Sequence, residues 1–219
     1  MTLIRSAKST GIALVAALGL FAQSQTAQAG SETLTVAGGC FWCVESDFES
    51  VKGVKEAVSG FAGGKAANPT YKQVTSGGTG HYEAVQIIFD PAVVSRDELL
   101  AKFFRSVDPT DAGGQFCDRG ASYRTAIFAN GSAQKAAAVK AKANAGKDLG
   151  QKIVTPILGA STFYPANASH QDYYKGGKIV LTRFGPKKQS KAYKAYRNAC
   201  GRDDRVKQLW GSAAPFVHG

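Results

Sequence analysis

The sequence predicts one α+β domain, a two-layer sandwich in which helices pack on a mixed sheet. Three observations predict it. Stretches with two-residue apolar alternation take turns with stretches at helical spacing. No fixed-period repeat or low-complexity linker separates them. Once an N-terminal leader is set aside, about 190 residues remain, enough for one core and too few for two independent domains.

The leader reads as an export signal. Arg5 and Lys8 give a positive start, Gly11 to Ala22 is an apolar run, and Ala27-Gln28-Ala29 is a small-residue cleavage site. The run is well under the roughly 20 residues needed to cross a bilayer, so we expect cleavage after Ala29 rather than a retained anchor. The expected mature chain is a monomer of residues 30–219, periplasmic or secreted.

Its elements follow in order. Glu32 to Ala37 alternates as a strand and is broken by Gly38-Gly39, after which Val44 to Val51 has helical spacing, so Cys40 sits where a strand hands over to a helix. Val54 to Phe61 is a second strand, Ala62 to Tyr71 a loop, and Glu83 to Phe89 a third strand. Asp97 to Ser106 is a helix with acids in its first turn and Leu99, Leu100, Phe103 and Phe104 as its apolar stripe. A Gly-rich loop from Asp108 to Gly120 leads to a strand over Tyr123 to Ala129, an Ala/Lys-rich helix over Ala133 to Leu149 and a last strand over Ile153 to Ala160. From Phe163 the chain is aromatic, basic and weakly periodic, which reads as a tail wrapped over the domain, its last part about 175–219.

The formal charge is +11, and +9 after loss of the leader, which holds two of the 27 Lys and Arg and none of the 16 Asp and Glu. The cations are scattered, with no dense cluster or recognised binding module, so they read as solvated surface and not as a nucleic-acid site.

Four cysteines remain: Cys40, Cys43, Cys117 and Cys200. In an oxidising compartment structural disulfides are the default, but a Cys40–Cys43 bridge would close too short a loop to stabilise much, so redox chemistry is the better use. A helix N-terminus lowers a thiol's pKa through its dipole and free N–H groups, and Cys40 has that placement. Gly38-Gly39 leaves room for a substrate, and Phe41 and Trp42 can wall an apolar pocket. These features alone leave disulfide exchange by Cys40 and Cys43 open. A four-cysteine zinc site fits poorly, because Cys117 and Cys200 stand alone and His81 and His170 lack ligand spacing to a cysteine. No metal or cofactor is expected.

The block Gly38-Gly39-Cys40-Phe41-Trp42-Cys43-Val44-Glu45 resembles the signature of the A-type peptide methionine sulfoxide reductases, which act on the S epimer. Asn68-Pro69-Thr70-Tyr71, Gly80-His81-Tyr82-Glu83-Ala84-Val85 and Asp118-Arg119-Gly120-Ala121-Ser122-Tyr123-Arg124 fit the same family in the same order. The resemblance spans about Thr35 to Tyr174 and implies a ferredoxin-like core.

It further implies that Cys40 attacks the sulfoxide sulfur and that Glu83, protonated in a dry site, supplies the proton to oxygen. Tyr71 and Tyr123 would hydrogen-bond that oxygen, Asp118 would orient the polar side, and Phe41 and Trp42 would enclose the methyl on sulfur. Cys40 would be left as a sulfenic acid that a second thiol converts to a disulfide. Cys200, in the segment where the family keeps its resolving cysteine, is favoured over Cys43, and Cys117 reads as a small buried residue. Partners would be oxidised proteins or free methionine sulfoxide and a thioredoxin-like dithiol reductant. Pro165-Ala166-Asn167-Ala168-Ser169-His170-Gln171 departs from the family's Pro-Ala-Glu-Asp-Tyr-His-Gln, which weakens any substrate contact along it. The readings that rival this one are a Cys40/Cys43 thiol-disulfide oxidoreductase and a non-enzymatic cationic binding protein.

Overall fold

A computed structural model describes residues 30–217; the leader, residues 1–29, lies outside the described residues. The main sheet has six strands: β1 (Glu32–Gly38), β2 (Val54–Ala62), β3 (Tyr82–Phe89), β6 (Thr125–Ala129), β7 (Ile157–Gly159) and β8 (Tyr164–Pro165). Two short strands, β4 (Gly114–Gln115) and β5 (Asp118–Arg119), form a separate ladder, and β9 (Ile179–Thr182) with β10 (Gly185–Lys188) makes a hairpin. The sheet order is β7-β6-β1-β3-β2-β8, antiparallel throughout except for the parallel β6/β7 pair. It is therefore mixed, as the sequence predicts.

Alternation along the central strands sorts the core. Val36 of β1 is flanked by Val85 and Ile127, and Leu34 faces Ile87, so these side chains share one face. That face is covered by α1 (Phe41–Glu49), α3 (Arg96–Phe104) and α4 (Gly131–Leu149), which add Phe41, Val44, Phe48, Leu99, Leu100 and Phe103 to the same cluster. Glu83 has the parity of Val85 and Ile87 on β3 and so projects from the helix-covered face. The opposite face carries Ala37, Ala62, Ala84 and Ala126 with Tyr82 and Phe128, small side chains that let loop residues such as Phe163 lie close.

Several elements differ from the sequence reading. The helix after Cys40 begins at Phe41 and not at Val44. A further helix, α2 (Tyr71–Thr75), follows the Asn68-Pro69 turn and is started by a capping box between Thr70 and Gln73. Tyr123 belongs to a 3-10 turn and β6 starts at Thr125. The strand expected over Ile153 to Ala160 is confined to Ile157–Gly159, because the Val154 amide turns away to the Pro109 carbonyl.

The last part of the chain is not a loose wrapping. It contains α5 (Gln189–Ala199) and α6 (Arg202–Trp210), docked through Ala192, Tyr193, Val206 and Trp210. Their pattern is hard to read because arginines occupy the buried face. Arg197 bonds Asp47 Oδ1 of α1 at 2.7 Å, Asp203 at 2.7 Å and the Phe216 carbonyl at 3.0 Å. Arg202 donates to the Gly38 carbonyl at 3.1 Å and the Ser106 carbonyl at 2.9 Å. Cys117, read as a small buried residue, is exposed and is bonded to Cys200 in a disulfide.

Removing one partner of a buried ion pair leaves the other charge without compensation. Arg197→Ala should therefore destabilise the protein by about 3 kcal/mol or more, read as a fall in the urea midpoint at constant slope. A change below about 0.5 kcal/mol would show that the pair contributes nothing.

Candidate active site

The strand-to-helix handover at Cys40 is held from both sides. Gly39 has φ +81°, and a Cβ there would lie 2.6 Å from Cβ of Gln115, so the close approach and the backbone conformation both require glycine. Gln115 is fully buried: its side-chain oxygen accepts the Asp108 amide at 2.8 Å, and its nitrogen donates to the carbonyls of Asp108 at 2.8 Å and Gly114 at 2.7 Å. Arg202 fixes the Gly38 carbonyl on the other side. Cys40 then occupies the N-cap position of α1, with no side-chain bond to the helix amides.

Beside it, Glu83 is 1% exposed. Its Oε2 accepts the Phe41 amide, the first N–H of α1, at 3.0 Å, while Oε1 has no protein partner. Burial pushes the carboxyl up to about 8, and nearby Asp118 adds to the rise; the Phe41 amide and the Tyr123 hydroxyl pull the other way. Glu83 thus holds a proton at neutral pH, as the family resemblance implies.

Cys40 differs from its reading as a thiol acidified by the helix. A hydrogen bond with Cys43 and burial hold the Cys40 thiol well above its ordinary value, and Glu83 and Asp118 add to this. Cys43 is lowered by the same sulfur contact and by Arg202 and Arg197. The helix terminus is outweighed chiefly by the hydrogen bond with Cys43 and by burial, with smaller additions from Glu83 and Asp118.

Cys40, Glu83, Tyr71, Tyr123 and Asp118 line one cavity of about 390 Å³, together with Trp42, Cys43, Cys117 and Cys200. Burial raises both tyrosine hydroxyls above their usual range, so they stay protonated donors, and it raises Asp118 as well. Trp42 stacks on Tyr173 with ring centres 3.9 Å apart and planes 7° apart. Phe41 is fully buried behind this wall, 5.9 Å from both Phe61 and Tyr71, and does not reach the cavity surface.

The cavity also contains residues not picked out in the sequence: Tyr173, Tyr193, Phe116, Arg183 and Arg202. Tyr173 follows His170-Gln171 closely enough to have been a signal. His170 itself stacks on Tyr71 at 4.3 Å, so the segment that departs from the family pattern still packs against the site. Gln171 anchors it through the Ser59 amide at 2.9 Å and the Ser59 carbonyl at 2.8 Å. Among the described residues Cys117, Asp118 and Cys200 cluster within 4.8 Å, but the two sulfurs are bonded to each other and Asp118 alone cannot hold a metal ion.

A nucleophilic sulfur, a protonated carboxyl and two hydroxyl donors around one apolar wall can bind a polar S–O group and protonate its oxygen. Comparison with known proteins agrees. The family model described as peptide methionine sulfoxide reductase matches residues 32–213. The chain is 50% identical over 178 residues to peptide methionine sulfoxide reductase MsrA 2 of Rhizobium meliloti (strain 1021), covering 81% of this chain and 83% of the relative. It is 48% identical to the enzyme of the same description from Caulobacter vibrioides, covering 83% and 86%. Its fold is similar to that of methionine sulfoxide reductase A of Corynebacterium diphtheriae, with TM-score 0.64, 35% identity, and 68% and 76% of the two chains covered. Matched over nearly all of its described length, this chain belongs to the peptide methionine sulfoxide reductase family and is an oxidoreductase of the MsrA type.

Proposed function

We propose that the enzyme reduces the S epimer of methionine sulfoxide, in oxidised proteins and as the free amino acid, with Cys40 as nucleophile and Glu83 as acid. The observation that carries this is the buried Glu83 carboxyl in the wall of the Cys40 cavity, fixed through one oxygen and unpartnered at the other. Cys40 sulfur attacks the sulfoxide sulfur while Glu83 protonates the oxygen and the Tyr71 and Tyr123 hydroxyls donate to it. Asp118 orients the polar side, and Trp42, backed by Phe41, encloses the methyl. The oxygen passes to Cys40, so the sulfoxide is reduced by two electrons and the thiol becomes a sulfenic acid.

The thiols sort into an inner and an outer pair. Cys43 touches Cys40, which supports giving the first condensation to Cys43: its sulfur bonds to Cys40 and the oxygen leaves as water. Cys200 acts one step later. The reduced Cys117/Cys200 pair, in the same cavity, attacks the Cys40–Cys43 disulfide, frees both inner thiols and is left as the Cys117–Cys200 disulfide. A thioredoxin-like dithiol protein opens that bond, a role supported by the exposure of Cys117. Disulfide exchange by Cys40 and Cys43 alone would give Glu83 no task. The N-terminal sequence supports an exported enzyme whose mature chain begins at residue 30.

With a dithiol reductant, the enzyme should turn over the S but not the R epimer of a methionine sulfoxide derivative, and Cys40→Ser should abolish it. Equal turnover of both epimers, or full activity in that variant, would sink the assignment.

Because the Glu83 carboxyl is raised to about 8, its proton is present below that pH and lost above it. The rate constant kcat/KM should fall as pH rises through about 8. Glu83→Gln should be about 10²–10⁴-fold slower, and its rate should rise with pH as Cys40 ionises. A falling alkaline limb that persists in the Gln variant would refute the acid role.

Fully reduced enzyme with no added reductant should release two equivalents of methionine, one per cysteine pair. The Cys117→Ser/Cys200→Ser variant should release one. One equivalent from the unaltered enzyme would make the outer disulfide a mere staple.

A further inference from the structure

The β9–β10 hairpin presents an apolar ledge to water at the mouth of the catalytic cavity. Strand alternation turns Val180 inward, against the cluster of Cys43, Tyr173, Ala192 and Tyr193, and so turns Ile179 and Leu181 outward together. They are 75% and 86% exposed, the two most exposed large aliphatics among the described residues. The register sets Pro186 opposite Leu181 and Lys188 opposite Ile179, extending the same face across both strands. At the turn, the Arg183 guanidinium lies between two rings, 4.9 Å from Phe184 and 5.2 Å from Tyr196. Leu181 and Arg183 belong both to the hairpin and to the wall of the cavity that holds Cys40 and Glu83.

A cavity of about 390 Å³ takes the methionine sulfoxide side chain, and the rest of a polypeptide must then cross its mouth. The residues flanking the oxidised methionine would fall on the ledge. Lys178, Arg183, Lys188, Lys191 and Lys194 are exposed on the hairpin and the helix that follows it, and no Asp or Glu lies between residues 175 and 202, so the surroundings of the ledge favour acidic chains.

Resting on the reductase reading above, we propose that the β9–β10 hairpin is a substrate arm: Ile179 and Leu181 bind apolar residues adjacent to methionine sulfoxide in extended, acidic segments of unfolded polypeptide. Continuity with the cavity decides the occupant. The arm selects oxidised methionines that have come out of a protein core, where their neighbours are apolar, over those on a folded polar surface.

The test compares two short acidic peptides that carry S-methionine sulfoxide, one flanked by leucine and one by serine. The unaltered enzyme should favour the leucine peptide about tenfold in kcat/KM, mainly through KM, as expected for one aliphatic side chain half removed from water. Ile179→Ser should lower that ratio while leaving kcat/KM for N-acetyl methionine sulfoxide unchanged, and Ile179→Ser/Leu181→Ser should bring it close to one. A ratio near one in the unaltered enzyme, or a ratio that survives both substitutions, overturns the proposal. It is also overturned if the double variant raises KM for the dithiol reductant alone, or loses binding to anionic vesicles with the peptide ratio intact; the hairpin would then serve the reductant or a membrane. No turnover of any sulfoxide by the unaltered enzyme would instead refute the reductase reading on which the arm depends.

Discussion

The bond from the Phe41 amide to Glu83 Oε2, 3.0 Å long, sets the relation between Cys40 and Glu83, the proposed nucleophile and acid. Phe41 is the first residue of α1 and the neighbour of Cys40, while Glu83 comes from the centre of the sheet through β3. One contact between a helix terminus and a sheet carboxyl therefore fixes both groups. It also divides the carboxyl's two oxygens: one accepts from the protein and the other has no protein partner. Because the bond accepts into the carboxyl, it opposes protonation, yet burial wins and holds the group near 8.

Keeping that geometry requires the start of α1 to be immobile, and the chain's last helices supply this. Arg202 reaches from α6 to the Gly38 carbonyl, and Arg197 reaches from α5 to Asp47 within α1. Both guanidinium groups are buried, a costly arrangement that simple packing would have avoided. Their placement has a second effect, since the same two cations favour the thiolate of Cys43. The C-terminal part of the chain thus shapes the redox site from beneath, and Cys200, at the end of α5, is carried to the cavity by the same packing.

These relations explain what the sequence could and could not reveal. Strands β1, β2 and β3 and helix α3 were legible because large apolar residues recur on the face turned to the main core, as Leu34 and Val36 or Leu99 and Phe103 do, while α4 was legible from its alanine and lysine content. The α5–α6 pair was obscured because Arg197 and Arg202 stand at buried positions where the pattern calls for apolar residues. Helix α2 was too short to show a period, although Thr70 and Gln73 carried its start. In the site, Cys40 was marked by its place between strand and helix, and Glu83, Tyr71 and Tyr123 were found through motif resemblance, whereas Tyr193 and Arg183 arrive at the cavity by tertiary folding. The disulfide between Cys117 and Cys200 spans 83 residues, and spacing of that order says nothing about pairing.

The reading of Cys40 as an acidified thiol failed for a reason that bears on how the site works. A helix terminus contributes a modest, screened term, whereas burial beside Glu83, Asp118 and a second thiol opposes the anion from three sides. Cys40 and Glu83 both favour their protonated forms there. The Cys40 thiolate is costly until something offsets that burial. In the reaction proposed above a sulfoxide would do so: its sulfur carries partial positive charge and would lie beside Cys40, while its oxygen would take hydrogen bonds from Glu83, Tyr71 and Tyr123. On that proposal substrate binding supplies the positive partner that the helix start alone does not, which would tie reactivity to the presence of an S–O bond.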